Sequence, residues 1–274
     1  MNKEVIIIGL GWVGQANALA LIKDEFIVHG IDIRTVNNIY KDPDFNKIKI
    51  SDAGSFTSDA PKIICVNALN DEHGKQDLSA VFSALKTARQ IGGGPVILRS
   101  TVLPTKFKNL DFDLFVPEFL HELHAIEEAR KPSLLVIGSK KSADNLPQFL
   151  LHWKKSAKRV FLGTPEEAAF IKYLSNIWNA LRISHVNEMG NIMRRRGMNH
   201  EKVLDFFFER KPYLKYGREF SGHCLPKDAL AFLTEFNEEA KLISAMHESN
   251  EDHKRYVKEH HPDVEAQYFR INEA

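Results

Sequence analysis

Short apolar runs alternate with amphipathic stretches through the first half of the chain. The runs are aliphatic or β-branched and bounded by glycine, proline or charge, which is typical of buried strands. They predict strands over residues 4–9, 25–33, 62–66, 95–100, 113–116, 134–138 and 159–163. Helical patterns occupy residues 17–24, 78–91 and 143–155. The alternation predicts an α/β fold: a Rossmann-type, doubly wound, mostly parallel sheet with helices on both faces.

The pattern changes after Gly163, where a long helix is predicted over residues 164–196. Thr164 is a candidate N-cap, Pro165 suits the first turn, and Glu167 completes a capping box. Further helices are predicted over residues 200–209 and 238–259, without strand patterns of comparable quality. We therefore expect an α/β domain over residues 1–163 and an all-helical domain over residues 164–274.

Composition narrows the class of protein. The chain has 274 residues, with 37 Lys and Arg against 36 Asp and Glu, so it lacks the concentrated basic charge of a nucleic-acid binder. No apolar run reaches the roughly 20 residues needed to span a membrane, and the first run reads as a strand rather than a signal peptide. The 2 cysteines are far apart, which favours a reducing, cytoplasmic setting.

A G-x-G-x-x-G motif follows the first strand and opens an Ala-rich helix; it consists of Gly9, Leu10, Gly11, Trp12, Val13 and Gly14. The second strand ends at Asp32. This arrangement predicts a dinucleotide site, with the pyrophosphate at the helix N-terminus and Asp32 on the adenosine ribose. A carboxylate there repels a 2′-phosphate and favours NAD over NADP, although Arg34 weakens that preference.

The two cysteines have different surroundings. Cys65 lies within an apolar strand and is predicted to be a core residue. Cys224 follows small residues and precedes a proline that restarts a helix, so a helix dipole, His223 and Lys227 would lower its thiol pKa. A buried structural cysteine explains the local sequence of Cys224 equally well.

The chain resembles the UDP-glucose/GDP-mannose dehydrogenases, NAD-dependent enzymes that oxidise a sugar-nucleotide alcohol to a carboxylate. The resemblance covers nearly the whole chain in order. It rests on the glycine motif and on the blocks Ser100-Thr101-Val102, Pro117-Glu118-Phe119-Leu120, Ile171-Lys172-Tyr173-Leu174-Ser175-Asn176, Asn187-Glu188 and Gly222-His223-Cys224-Leu225-Pro226-Lys227-Asp228.

The resemblance implies a role for each matching residue. Cys224 would add to an aldehyde and form a thioester, because thiolate is nucleophilic near neutral pH. Lys172 and Asn176, four apart on one helix, would donate to the oxyanion. Glu118 and Glu122 would share one face if the segment after Pro117 is helical, and so divide base and acid duties, with Glu118 serving thioester hydrolysis.

Three further positions follow from the same resemblance. Thr101 would hold a water near these groups, and Asp228 would position water or orient Lys172. Thr101 and Lys227 are also assigned to the cofactor site. No metal site is expected, because the 12 histidines are scattered and lack partners at ligand spacing.

The chain also departs from the family pattern. Val116 stands where Asn is usual, His223 where Ser is common, Ser221 in place of a glycine, and residues 67–69 replace Pro-Thr-Pro. Family members usually have a further C-terminal nucleotide-binding domain, for which the residues after 262 are too few. The resemblance therefore predicts a chain without that domain, either a piece of a longer protein or a natural short form. A homodimer through the long helix would cover the apolar surface that the domain leaves exposed.

Three functions stay open from the sequence. The first is a four-electron oxidation of a nucleotide sugar, with a UDP-hexose as the expected substrate and neither nucleic acid nor membrane as a partner. The second is a two-electron, NAD-dependent dehydrogenase of a small hydroxy acid, for which Cys224 would be dispensable. The third is a non-catalytic NAD-binding module.

Overall fold

The chain forms two compact units. The structure, a computed structural model, describes residues 3–140, 145–208, 217, 219–222 and 224–260. The first unit comprises Met1–Leu69 and Gln76–Lys172, and the second comprises Asn70–Lys75 and Tyr173–Ala274. The predicted domain boundary near Gly163 stays a prediction, since the units divide further along the same helix.

An eight-stranded sheet forms the centre of the first unit. Its strands are β1 (Glu4–Ile8), β2 (Ile27–Ile31), β3 (Lys49–Ile50), β4 (Lys62–Ile64), β5 (Val96–Leu98), β6 (Leu114–Phe115), β7 (Leu134–Ser139) and β8 (Arg159–Gly163). Their order is β3-β2-β1-β4-β5-β6-β7-β8. Neighbours are parallel except β6 and β7, which are antiparallel. The predicted fold class and all seven predicted strands are confirmed, whereas the short β3 was missed.

Helices cover both faces of the sheet in the first unit. They are α1 (Trp12–Lys23), α2 (Ser79–Ile91), α3 (Ala125–Arg130), α4 (Gln148–Ser156) and the start of α5 (Pro165–Arg195). Along β1, Ile6 and Ile8 enter one buried cluster while Val5 and Ile7 enter the other. Because side chains alternate along a strand, a continuous apolar run is the signature of a sheet buried on both faces.

Three helix predictions differ from the structure in their bounds. α1 begins at Trp12 instead of Asn17, because Gly11 is its N-cap and the glycine loop passes directly into the helix. α4 begins only after Pro147, and the predicted residues 143 and 144 lie outside the described residues. α8 (Lys241–His260) begins three residues later than the predicted start at residue 238.

From Tyr173 onward, the described elements of the second unit are helices. They are the rest of α5, α6 (His200–Phe208), α7 (Leu225–Glu235) and α8. The predicted helix over residues 164–196 is confirmed, and so is its capping box: the Thr164 amide donates to Glu167 at 2.8 Å and the Glu167 amide donates to Thr164 Oγ1 at 3.2 Å. The predicted end of α6 at Glu209 lies outside the described residues.

Candidate active site

The glycine loop after β1 packs tightly against its neighbours and leaves the N-terminus of α1 open. Gly9 has φ of +92°, and a Cβ there would lie 2.8 Å from the Cys65 carbonyl oxygen. A Cβ on Gly14 would lie 1.8 Å from the Gly9 carbonyl oxygen, so the helix packs directly on the loop. A Cβ on Gly11 would meet nothing within 4 Å. Two glycines are thus required by packing, and the third keeps the helix N-terminus open, as pyrophosphate binding needs.

Asp32, at the end of β2, holds this loop in place. Its carboxylate accepts from the Leu10 amide at 2.7 Å and from the Arg34 amide at 2.9 Å. A carboxylate offers about four acceptor positions, so it can also accept from ribose hydroxyls. The Arg34 Nε lies 3.9 Å from Asp32 Oδ1, which places a cation beside that carboxylate as the sequence suggested.

Tyr40 is a residue at the glycine loop that sequence reasoning missed. Its hydroxyl donates to the Trp12 carbonyl oxygen at 3.0 Å, and its ring meets the exposed Trp12 ring edge-on at 5.2 Å. Burial, followed by the charges of Glu122 and Glu118, raises the pKa of Tyr40 to about 12. Tyr40 therefore stays a hydrogen-bond donor at neutral pH.

Glu118 and Lys172 form a buried ion pair in the first unit, with Lys172 Nζ 2.9 Å from Glu118 Oε1. The Leu120 amide donates to the other carboxylate oxygen at 2.8 Å. Burial alone would raise the pKa of Glu118, but the Lys172 charge, these hydrogen bonds and the Arg99 charge together hold that pKa below its usual value. Glu118 is therefore a carboxylate at neutral pH and can accept a proton.

The predicted pairing of Glu118 with Glu122 on one helical face is wrong. The chain from Val116 to His121 is not helical, and a short 3₁₀ helix (Glu122–His124) begins only at Glu122. Glu118 is buried whereas Glu122 is exposed. The i, i+4 argument failed because it assumed a helix directly after Pro117.

In the second unit, Asp228 joins two other predicted site residues. Its carboxylate accepts from Asn176 Nδ2 at 2.5 Å and from Lys227 Nζ at 2.5 Å. Asp228 is only 1% exposed. Cys224 is the exposed N-cap residue of α7, and its carbonyl oxygen accepts from the Asp228 amide at 2.8 Å. The thiol is thus at a helix N-terminus rather than buried, which removes the structural-cysteine alternative.

A buried polar network, which sequence reasoning missed, holds the chain just before Cys224. Asn187 Oδ1 accepts from the Gly217 amide at 3.0 Å, and Asn250 Oδ1 accepts from the Phe220 amide at 2.7 Å. The His253 Nδ1 lies 2.9 Å from Asn191 Nδ2, and the His253 Nε2 lies 2.5 Å from the Gly217 carbonyl oxygen. These residues share the inward face of α5 or α8, where polar side chains at i, i+3 or i, i+4 spacing were the available signal.

Thr101, after β5, is placed by a side chain from a distant part of the sequence. Gln76 Nε2 donates to the Thr101 carbonyl oxygen at 3.1 Å, while Gln76 Oε1 accepts from the Leu103 amide at 3.0 Å. The Thr101 side chain is partly exposed. Its predicted roles toward water and cofactor stay predictions.

The remaining predictions concern Cys65, metal binding and membrane spans. Cys65 is buried in the core as expected, and burial raises the pKa of its thiol to about 12. Among the described residues, no group of three or more His, Cys, Asp and Glu is arranged to hold a metal ion. Within those same residues, no helix combines the length and apolarity that crossing a membrane requires.

Comparison with known proteins shows which family these residues resemble. The profile of the UDP-glucose/GDP-mannose dehydrogenase family, central domain, matches residues 166–252. The chain is 28% identical to the UDP-glucose 6-dehydrogenase of Campylobacter jejuni, over 93% of this chain and 73% of that protein. It is 26% identical to the GDP-mannose 6-dehydrogenase of Pseudomonas aeruginosa, over 90% of this chain and 68% of that protein. The chain is thus similar to the UDP-glucose/GDP-mannose dehydrogenase family, by its central-domain profile and along most of its length.

A solved structure shows the same fold in this family. The UDP-glucose dehydrogenase from Pyrobaculum islandicum superposes with a TM-score of 0.73 at 27% identity, over 93% of this chain and 68% of that one. Among the curated relatives that it matches, the chain spans from 50% to 73% of their length. The family resemblance seen in the sequence is therefore confirmed, and the fold is that of a nucleotide-sugar dehydrogenase.

Of the residues that depart from the family pattern, Val116 has described surroundings. Val116 is buried, and its carbonyl oxygen accepts from Arg99 Nη1 at 3.1 Å. Arg99 also stacks over the Trp153 ring at 4.9 Å. The chain thus uses a buried arginine to hold the backbone that leads into Glu118. His223 lies outside the described residues.

Proposed function

We propose that the protein is an NAD-dependent nucleotide-sugar dehydrogenase that oxidises the primary alcohol of a UDP-hexose, such as UDP-glucose, to the uronic acid in a four-electron reaction. The observation that carries the proposal is the exposed Cys224 at the N-terminus of α7, next to Asp228, which binds Asn176 and Lys227. A two-electron alcohol oxidation needs no such thiol.

The glycine loop supports the choice of NAD. The open helix N-terminus at Gly11 suits a pyrophosphate, and Asp32 suits the ribose hydroxyls of a cofactor that lacks a 2′-phosphate. NAD supplies a hydride acceptor when bound. We assign the glycine loop and Asp32 to its adenosine half, and Thr101 and Lys227 to the cofactor site on the strength of the family resemblance.

The first oxidation removes a hydride and a proton from the alcohol and gives an aldehyde. The Cys224 sulfur then forms a bond to the carbonyl carbon, and the carbonyl oxygen takes the negative charge. Lys172 and Asn176 donate to that oxygen, because an oxyanion needs donors placed before the charge develops. Loss of a second hydride from the same carbon leaves a thioester on Cys224.

Hydrolysis releases the product. Glu118 accepts a proton from water, which adds to the thioester carbon, and the carbon–sulfur bond breaks with the thiolate as leaving group. Glu118 is ionised and so has a free lone pair for the proton, while its contact with Lys172 lowers its pKa and makes it a weaker base than an unpaired carboxylate. The whole reaction consumes one alcohol, one water and two NAD⁺, and yields one carboxylate, two NADH and three protons.

The test is NADH stoichiometry over a panel of UDP- and GDP-sugars. We expect two NADH per acid formed for a UDP-hexose, and loss of acid formation in Cys224→Ser. Cys65→Ala is the matched control, since Cys65 is buried in the core and should leave the stoichiometry unchanged. One NADH per substrate with a small hydroxy acid would support the two-electron alternative, and full acid production by Cys224→Ser would overturn the thioester route.

A further inference from the structure

The loop between β4 and α2 departs from the unit in which both of those elements lie. Residues Asn70–Lys75 belong by their contacts to the second unit, although the chain on either side of them belongs to the first. This loop follows the segment in which residues 67–69 depart from the family pattern. None of the roles proposed above uses it.

The loop contacts α7 at two places. Asn70 Nδ2 donates to the Lys227 carbonyl oxygen at 2.8 Å, in the first turn of the helix that Cys224 caps. Gly74 is buried against the next turns, where a Cβ would lie 2.8 Å from both Leu230 Cγ and Thr234 Oγ1. The loop therefore follows α7 from its first turn to Thr234.

The loop is held in one shape by its own hydrogen bonds. Asp71 Oδ1 accepts from the His73 amide and the Lys75 amide, each at 2.9 Å. The Gly74 amide donates to the Asp71 carbonyl oxygen at 3.0 Å, and Gly74 adopts a φ of +79° that other residues rarely adopt. A loop with a fixed shape can hold the helix residues that it contacts in a fixed position.

Gln76 fixes the end of the loop that returns to the first unit. As described above, its buried side chain binds the backbone of Thr101 and Leu103. Within a few residues, the chain thus holds the Thr101 segment through Gln76 and the first turn of α7 through Asn70. The hydrogen bond from Asn70 to the Lys227 carbonyl oxygen is a contact from outside α7 on its first turn.

We propose that Asn70 and Gly74 are positioning residues for the thioester step: they fix the first turn of α7, and with it the Cys224 sulfur. The assignment of a step rests on the proposed function, whereas the effect on the position of Cys224 does not. The Lys227 carbonyl and the Cys224 carbonyl belong to the same helical turn, and the latter accepts from the Asp228 amide. Movement of that turn therefore moves Cys224 and Asp228 together.

The test compares Asn70→Ala, Asn70→Asp and Gly74→Ala with the wild type. Asn70→Asp keeps the shape of the side chain but removes the donor, and it serves if Gly74→Ala does not fold. His73→Ala is the matched control, because this side chain is exposed in the same loop. The first readout is the rate of iodoacetamide alkylation at Cys224, located by mass spectrometry. The second is the yield of aldehyde, trapped with hydroxylamine, relative to acid.

We expect alkylation of Cys224 to slow about threefold or more in the Asn70 variants, because helix N-terminal amides stabilise a thiolate placed beside them. The rate of acid formation should fall about tenfold, because small misplacements of reacting groups slow a reaction, and trapped aldehyde should rise relative to acid. Alkylation and product ratios equal to those of His73→Ala would overturn the proposal. Slower alkylation together with full acid production by Cys224→Ser would uphold the positioning and reject the proposed function.

Discussion

At the scale of single residues, the Glu118–Lys172 ion pair is buried, unlike the ion pairs at the surface of the first unit. Its side chains are 10% and 5% exposed, whereas Lys3 and Glu25 form an ion pair that is 43% and 86% exposed. Exposed pairs add little to stability, but removal of one partner from a buried pair leaves a charge without compensation. We therefore expect the pair to stabilise the fold, in addition to the catalytic roles proposed for its two residues.

Glu118→Gln should lower the free energy of unfolding by about 3 kcal/mol, because Lys172 would then be buried beside a neutral amide. The measurement is the urea midpoint followed by circular dichroism at pH 7. Glu122→Gln, an exposed carboxylate four residues later, should change the midpoint little and is the control. Equal losses in the two variants would mean that the pair with Lys172 contributes nothing specific.

The sequence predicted the identity of these residues better than their contacts. Lys172 and Glu118 were both singled out, yet their pairing joins positions 54 residues apart, which no local pattern encodes. Glu122 was paired with Glu118 by helical spacing, and the extended chain after Pro117 removes that basis. Local spacing predicts contacts only within an element whose type is already right.

At the scale of elements, buried amides and one imidazole join α5 to α8. His253 is 2% exposed and accepts from Asn191 through Nδ1 if its Nε2 donates to the Gly217 carbonyl oxygen. Burial lowers the pKa of His253, while the Gly217 carbonyl and the Glu219 charge oppose that shift. The neutral imidazole satisfies both neighbours, and protonation of Nδ1 would place a donor against a donor.

His253 should make the stability of the protein dependent on pH near neutrality. A histidine whose pKa is lowered on folding contributes its full stability above the unfolded-state value of about 6.5, and this stability is lost as the pH falls through the lower, folded-state pKa. The difference in unfolding free energy between wild type and His253→Gln should therefore shrink from pH 8 to pH 5.5. His73→Gln, at an exposed histidine, is the comparison variant, and a constant difference for His253→Gln would contradict the argument.

Whole elements were predictable where a strong local pattern defined them. The seven predicted strands and the capping box at Thr164 came directly from apolar runs and capping chemistry. β3 was missed because two exposed residues carry no apolar pattern, and it pairs only through its backbone with β2. The attachment of residues 70–75 to the second unit was also unpredictable, since it depends on tertiary contacts of Asn70 and Gly74.

At the scale of the whole molecule, α5 presents large apolar side chains to solvent. Leu174 is 70% exposed and Trp178, one turn later, is 55% exposed. Exposed apolar residues one turn apart on a long helix form a surface that a second copy can cover. The homodimer expected from the sequence is consistent with this surface and stays a prediction.

Leu174→Glu should convert the expected dimer into a monomer, because a charge would have to be buried without a partner. Size-exclusion chromatography with light scattering measures the mass. Phe206→Glu introduces the same charge at a residue that is 88% exposed on α6, and it should leave the mass unchanged. A wild-type monomer, or a dimer that survives Leu174→Glu, would exclude association through this part of α5.

The reversal of β7 and β8 imposes a length requirement on the start of α5. β7 runs antiparallel to β6 and parallel to β8. The C-terminus of β8 therefore lies at the opposite end of the strands from the glycine loop. The helix must then return across the sheet, and from Pro165 to Lys172 it advances about 10 Å. Each inserted or deleted residue would shift Lys172 by about 1.5 Å and rotate it by about 100° away from Glu118. This stretch should therefore tolerate substitutions at exposed positions such as Glu166, but no change in its number of residues.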